Sequence, residues 1–204
     1  LKIEEFAYET DKNGQHFFFF FSKNGSVSIL KLALEKLKNE LSHEDFHNFV
    51  KLKSKDGRNI LHYAAHNNKK ESFKFFVNFI EIEVDSEVVK EMLRDVDCCN
   101  RLPLHYAIEL ESFKVFEPFF SLYEQNFTNP ELLKILQLED EDGNNFLHLA
   151  FQNRQILVKI DVIKIVNWFE DETKLKKFLL EKDEKDKQNY LMKSIIIHKD
   201  KNNG

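Results

Sequence analysis

Eight histidines, two adjacent cysteines and 35 carboxylates are the side chains able to do chemistry in this chain of 204 residues. Three of the histidines, His62, His105 and His148, stand in near-identical surroundings, 43 residues apart each time. Recurring imidazoles invite a zinc site, whose nitrogens must converge to about 2.0–2.1 Å from one ion. His43 and His47 form a further pair, i and i+4 on a helix, but with no cysteine or other histidine nearby no metal is assigned there. Cys98 and Cys99 offer a nucleophile with His105 as its base, yet no third orienting group recurs. Structural or contact thiols of a reducing compartment are the plainer reading. Asp140-Glu-Asp-Gly-Asn144 begins like a calcium loop, but Phe151 stands where the closing glutamate belongs, which leaves a solvated turn. With no glycine-rich phosphate loop and no Gly-x-Ser-x-Gly elbow, no catalytic residue, metal or cofactor is assigned.

What positions the three histidines is an internal repeat. Gly57-Arg-Asn-Ile-Leu-His-Tyr-Ala-Ala65, Asn100-Arg-Leu-Pro-Leu-His-Tyr-Ala-Ile108 and Gly143-Asn-Asn-Phe-Leu-His-Leu-Ala-Phe151 align without gaps. One step earlier, Gly14 falls on the turn position and Phe18 on the column of Leu61, Leu104 and Leu147. The same step carries Leu30 to Phe73 and Phe116, and Leu37 to Ile80, Tyr123 and Val166. Three further columns are apolar in all five occurrences: Ile3, Phe46, Val89, Leu132, Leu175; Phe6, Phe49, Met92, Ile135, Phe178; and Ala7, Val50, Leu93, Leu136, Leu179. Their internal spacing of three and four puts them on one helical face.

Each unit therefore reads as a turn, an inner helix that starts near the Leu-His pair, an outer helix and a short third helix. For the second unit the expected spans are Ile60 to Asn67, Glu71 to Ile82 and Ser86 to Arg94. Ser42 with Asp45, Ser86 with Val89, and Asn129-Pro130-Glu131 supply start signals for the third helices. Stacked helices sit about 8–10 Å apart, so histidines one unit apart cannot share an ion. They are expected to brace turns instead.

These segments, above all Leu102-Pro-Leu-His-Tyr-Ala107, resemble the Thr-Pro-Leu-His-x-Ala-Ala signature of the ankyrin repeat family. The resemblance implies an all-α repeat solenoid with short turn or hairpin connections, and no catalysis. Two departures stand out. The family repeat is near 33 residues, so each unit here holds about 10 more, assigned to the third helix. Thr-Pro is mostly replaced, by Asn59-Ile60 and Asn145-Phe146, where Asn can still bond to the turn backbone. The whole chain, 1–204, is divided into a partial unit 1–10, units at about 11–53, 54–96, 97–139 and 140–185, and a partial unit 186–204. That phase, without polar capping faces at either end, reads as a segment of a longer array.

The family places target contacts on the concave side, on turn tips and the exposed face of inner helices. Residues flanking the turn column and following the Ala-Ala column are Lys55, Asp56, Arg58, His66 and Asn67; Cys98, Cys99, Arg101, Glu109 and Leu110; and Glu141, Asp142, Asn144, Gln152 and Asn153. Mixed charges and amides suit a protein partner. A formal charge of −5 with dispersed cations argues against nucleic acid. No apolar run approaches the roughly 18 residues of a membrane span, and no small-molecule substrate is implied. Phe17 to Phe21 reads as a degenerate unit repacked around bulk, the alternative being an exposed aromatic anchor. Abundant Phe, Lys, Asn and Ile with only four arginines reads as the mark of an AT-rich gene.

The expectation is a cytoplasmic, non-catalytic protein-interaction scaffold. The alternatives are the targeting arm of a larger secreted effector, toxin or enzyme from an AT-rich symbiont, parasite or invertebrate, acting in host-cell cytoplasm if an effector, or the cytosolic region of a channel. Charge reversal at Arg58 and Arg101 is expected to weaken partner capture and leave thermal unfolding unchanged.

Overall fold

A computed structural model describes residues 8–16, 19, 27–66, 70–109, 113–152 and 173. Among them the regular structure is helical: α1 Val27–Glu40, α2 His43–Val50, α3 Ile60–His66, α4 Lys70–Glu83, α5 Ser86–Arg94, α6 Pro103–Glu109, α7 Phe113–Asn126, α8 Asn129–Leu136 and α9 Phe146–Gln152. Helix starts at 60, 103 and 146, at 27, 70 and 113, and at 43, 86 and 129 each follow a step of 43. The inner helices α3, α6 and α9 stack in one row and the outer helices α1, α4 and α7 in a second. The all-α repeat architecture expected from the periodicity is therefore present.

The core forms because the apolar columns all point between the rows. Leu30, Phe73 and Phe116 on the outer helices are buried, as are Leu37, Ile80 and Tyr123 one face on. On the short third helices α2, α5 and α8, the columns Phe46, Val89 and Leu132, Phe49, Met92 and Ile135, and Val50, Leu93 and Leu136 are likewise buried. Rings join successive units, with Phe73 and Phe119 centroids 5.2 Å apart and Phe120 stacked 5.5 Å from Phe146. Such pairs add about 0.5–1.5 kcal/mol each beyond the area they bury. The Tyr123 hydroxyl, sealed in this core, donates to the Leu93 carbonyl at 2.8 Å. Of the Phe17 to Phe21 run, Phe19 is buried and stacks 4.7 Å from Tyr63; the other four residues lie outside the described set.

Start signals hold with two shifts. Ser42 caps α2 by accepting from the Asp45 N–H at 3.1 Å. For α5 and α8 the cap positions are Asp85 and Thr128, one residue before Ser86 and Asn129. Ser86 and Asn129 already have helical backbone, so the residue in front of each takes the extended conformation a cap needs. Asn59 caps α3: its Oδ1 accepts from the N–H groups of Leu61 (3.0 Å) and His62 (3.3 Å). Asn145 does the same for α9 with Leu147 and His148, both at 3.1 Å. The third unit has Leu102 at this place and Pro103 as the first helical residue, which needs no amide partner.

Every described turn carries one residue at positive φ: Gly14 at 70°, Gly57 at 79°, Asn100 at 55° and Gly143 at 74°. Asparagine is among the few residues with a side chain that visit this region readily. At Gly57 a Cβ would also meet the Asp97 backbone at 3.2 Å, whereas at Gly143 nothing lies within 4 Å. Gly57→Ala is thus expected to lower stability by about 1–2 kcal/mol from backbone strain alone, and further from the contact. Gly143→Ala should show only the strain. Urea unfolding of the two variants checks this ordering.

Candidate functional site

The turn tips and the inner helices behind them make one continuous face. Each turn is closed by its first residue, Asp11, Ser54, Asp97 or Asp140. The carbonyls of these four accept from Gly14, Gly57, Asn100 and Gly143 at 2.9, 3.0, 3.0 and 2.9 Å. The aspartates also turn their side chains inward: Asp97 Oδ1 accepts from the N–H groups of Cys99 (2.9 Å) and Arg101 (3.0 Å), and Asp140 Oδ1 from Asp142 (3.0 Å) and Asn144 (2.8 Å). Consecutive tips are then joined through backbone. The Lys55 N–H donates to Asn13 O (3.4 Å), Cys98 to Asp56 O (2.8 Å) and Glu141 to Cys99 O (3.0 Å).

Arginines cross the same gap. Arg58 Nε donates to Asp97 Oδ2 at 3.2 Å, and its guanidinium lies 4.9 Å from the centre of the Tyr106 ring. One unit on, Arg101 reaches Asp140 at 3.4 Å and Asp142 at 3.5 Å, with Glu109 at 3.0 Å on its other side. The Asp97 and Asp140 side chains have 0% exposure. Burial alone would raise the Asp97 carboxyl, but bonds from the Tyr106 hydroxyl, the Arg101 and Cys99 N–H groups and Arg58 outweigh it and hold the acid below its ordinary range. The column of Asp11, Ser54, Asp97 and Asp140, and Tyr106 behind it, escaped the sequence reading. Their signal was present as the same 43-residue step three places before the turn glycine.

The histidine column braces turns. His62 Nδ1 accepts from the Asn59 N–H at 3.2 Å, which leaves the proton on Nε2 to be donated to Arg101 O in the next unit at 3.0 Å. His105 Nδ1 accepts from the Leu102 N–H at 2.9 Å, and His148 Nδ1 from that of Asn145 at 3.2 Å. Burial pulls His62 and His105 down to about 4, so both are neutral at physiological pH. His105 is in consequence no base for a thiol, and the Cys99 thiol, in contact with Cys98, is pushed up to about 11. A thiol in that state is a poor nucleophile. Asp140 is likewise occupied by turn amides and Arg101, in the manner of a turn and not a cation loop.

The expected contact residues divide by what they touch. Lys55, His66, Cys98, Glu109, Glu141, Asp142 and Gln152 are exposed. Asp56, Arg58, Cys99 and Arg101 are half-buried within the tip network. Asn144 is buried against Asp140. Asn67, Leu110 and Asn153 lie outside the described residues. Arg58 and Arg101 overturn one expectation: reversing their charge cannot leave unfolding unchanged, because each neutralises a buried aspartate of the next turn. Removing one partner of such a pair exposes the other to its desolvation cost.

Residues 41–128 match a family model described as ankyrin repeats (3 copies). No curated protein matches the chain.

Two outcomes follow from the site. Arg58→Glu should cost about 2–3 kcal/mol in urea unfolding, below the 3–5 expected for a fully buried pair because the arginine is partly solvated. The histidines set the acid response. A group whose pKa falls on folding contributes stability that is full above its unfolded value of 6.5 and is lost as pH drops toward the folded value of about 4. Between pH 7 and pH 5, His62 and His105 should each remove about 2 kcal/mol, and His105→Gln should show a shallower pH profile than wild type even though it is less stable at pH 7.

Proposed function

We propose that this chain, whose residues 41–128 match ankyrin repeats, is a non-catalytic scaffold that captures another protein on the face made by its turn tips and inner helices. Ankyrin repeats are in general protein-interaction modules. The observation that carries the reading for this chain is the division of labour at the tips. The buried Asp97, Asp140 and His62 close turns and tie units together, while Lys55, His66, Glu109, Glu141, Asp142 and Gln152 keep exposed side chains on the tips and inner helices of three units. Exposed side chains on a rigid backbone bind without a large ordering cost. Their mixture of both charges and an amide suits a polar protein surface and not a phosphate backbone. His62, His105 and Cys99 have the states of structural groups, in keeping with a face that binds and does not catalyse. Among the described residues no helix is long and apolar enough to cross a membrane.

The contact set is accordingly Lys55, His66 and Gln152 with the acidic tip residues, and Arg58 and Arg101 serve it by holding the tips in register. A variant carrying Glu141→Lys and Gln152→Lys changes exposed side chains only. It is expected to keep the wild-type unfolding midpoint within about 0.5 kcal/mol and to lose the proteins that the immobilised wild-type chain retains from extracts of its own cells. Identical retention by variant and wild type would remove this face from the proposal.

A further inference from the structure

His43 and His47 lie one turn apart on α2, with ring centroids 4.1 Å from one another. The fold adds the donor that the sequence around them lacks. Asp85, at the start of α5 in the following unit, places Oδ1 3.8 Å from His43 Nε2 and Oδ2 3.6 Å from His47 Nδ1. One donor atom from each of the three residues lies within 4.8 Å of the others. These separations are too long for hydrogen bonds. They are close to the roughly 3.4 Å between donors around a tetrahedral ion with bonds of about 2.0–2.1 Å.

Asp85 also forgoes its local task. An aspartate at a helix cap ordinarily accepts from the N–H groups of the first turn, as Ser42 does at the equivalent place in front of α2. Asp85 makes no such bond; its carboxylate is turned to the two imidazoles instead. The charge of Lys51, the nearest cation bearing on His47, is met by Glu91 at 3.3 Å. His47 is nearly buried and so fixed by packing, while His43 and Asp85 are 74% and 63% exposed in their side chains and leave the site open on one side.

We propose that His43, His47 and Asp85 form a site for a borderline divalent cation, zinc in the first place, that bridges two neighbouring units on α2 and the start of α5. Two imidazole nitrogens and one carboxylate favour zinc, cobalt or nickel over magnesium or calcium. Three protein ligands leave the fourth position to water. When the ion takes His47 Nδ1 the proton resides on Nε2, and the contact from the Asp85 N–H to Nε2, already at 3.5 Å, gives way. Because the ligands come from two units, an ion held there adds a second link between α2 and α5 to the Lys51–Glu91 ion pair, and it stabilises the folded array in proportion to its occupancy.

Titration of the purified chain with zinc at pH 7.5, followed by calorimetry and thermal unfolding, and with cobalt, followed by visible absorption, tests the site. One equivalent of zinc should bind and raise the unfolding midpoint. The cobalt complex should show ligand-field bands without a thiolate charge-transfer band. His43→Ala and Asp85→Asn alter exposed side chains, and each should weaken binding at least about tenfold; a Cys98→Ser, Cys99→Ser double variant should bind as wild type. Absence of binding, a thiolate band, or undiminished affinity in both His43→Ala and Asp85→Asn would overturn the assignment.

Discussion

A buried polar group must find a hydrogen bond, and in this chain many polar groups, buried or at the tips, find theirs in a neighbouring unit. The N–H of Cys98 is closed by Asp56, the Arg101 carbonyl by His62, and the carboxylate of Asp97 by Arg58. Asp97 is the point on which most depends, since it accepts from two amides of its own turn, from Tyr106 behind it and from the preceding unit's arginine. A single unit lifted out would leave carbonyls, amides and a buried carboxylate unpaired. The fold is for this reason a property of the stack and not of the unit.

That constraint shapes the surface available for recognition. The arginines, which in many interfaces serve as anchors, are drawn into the framework by Asp97 and Asp140. Under the proposed function, what remains for a partner is a set of exposed side chains on tips whose backbone is fixed by three successive bonds. The third helices contribute to the core and to the links between units: their apolar columns are buried, and their polar sides carry ion pairs such as Arg94 with Glu131 at 3.2 Å and Lys51 with Glu91 at 3.3 Å between neighbouring units.

The helices and the core were legible because both follow from local rules. Turn glycines, cap residues and apolar spacing of three and four repeat with the unit, and Phe46, Val89 and Leu132 needed only alignment to be recognised as equivalent. Contacts between units were not legible, since a period identifies equivalent residues and not neighbours. Arg58 meets Asp97 at a separation of 39, and His47 meets Asp85 at 38, neither being the repeat length. Those offsets depend on how one unit is seated on the next, which is a matter of packing. Arg58 and Arg101 thus looked like free contact residues, and His43 and His47 looked like a pair lacking a third donor.

The tip-to-tip bonds also determine how the chain carries load. They run in series, each joining one turn to its neighbour only, from Asn13 through Asp56 and Cys99 to Glu141. Tension applied along the stack is therefore felt equally at every junction, and the weakest yields first. Under such pulling the array gives way as a chain of separate fasteners, unit by unit.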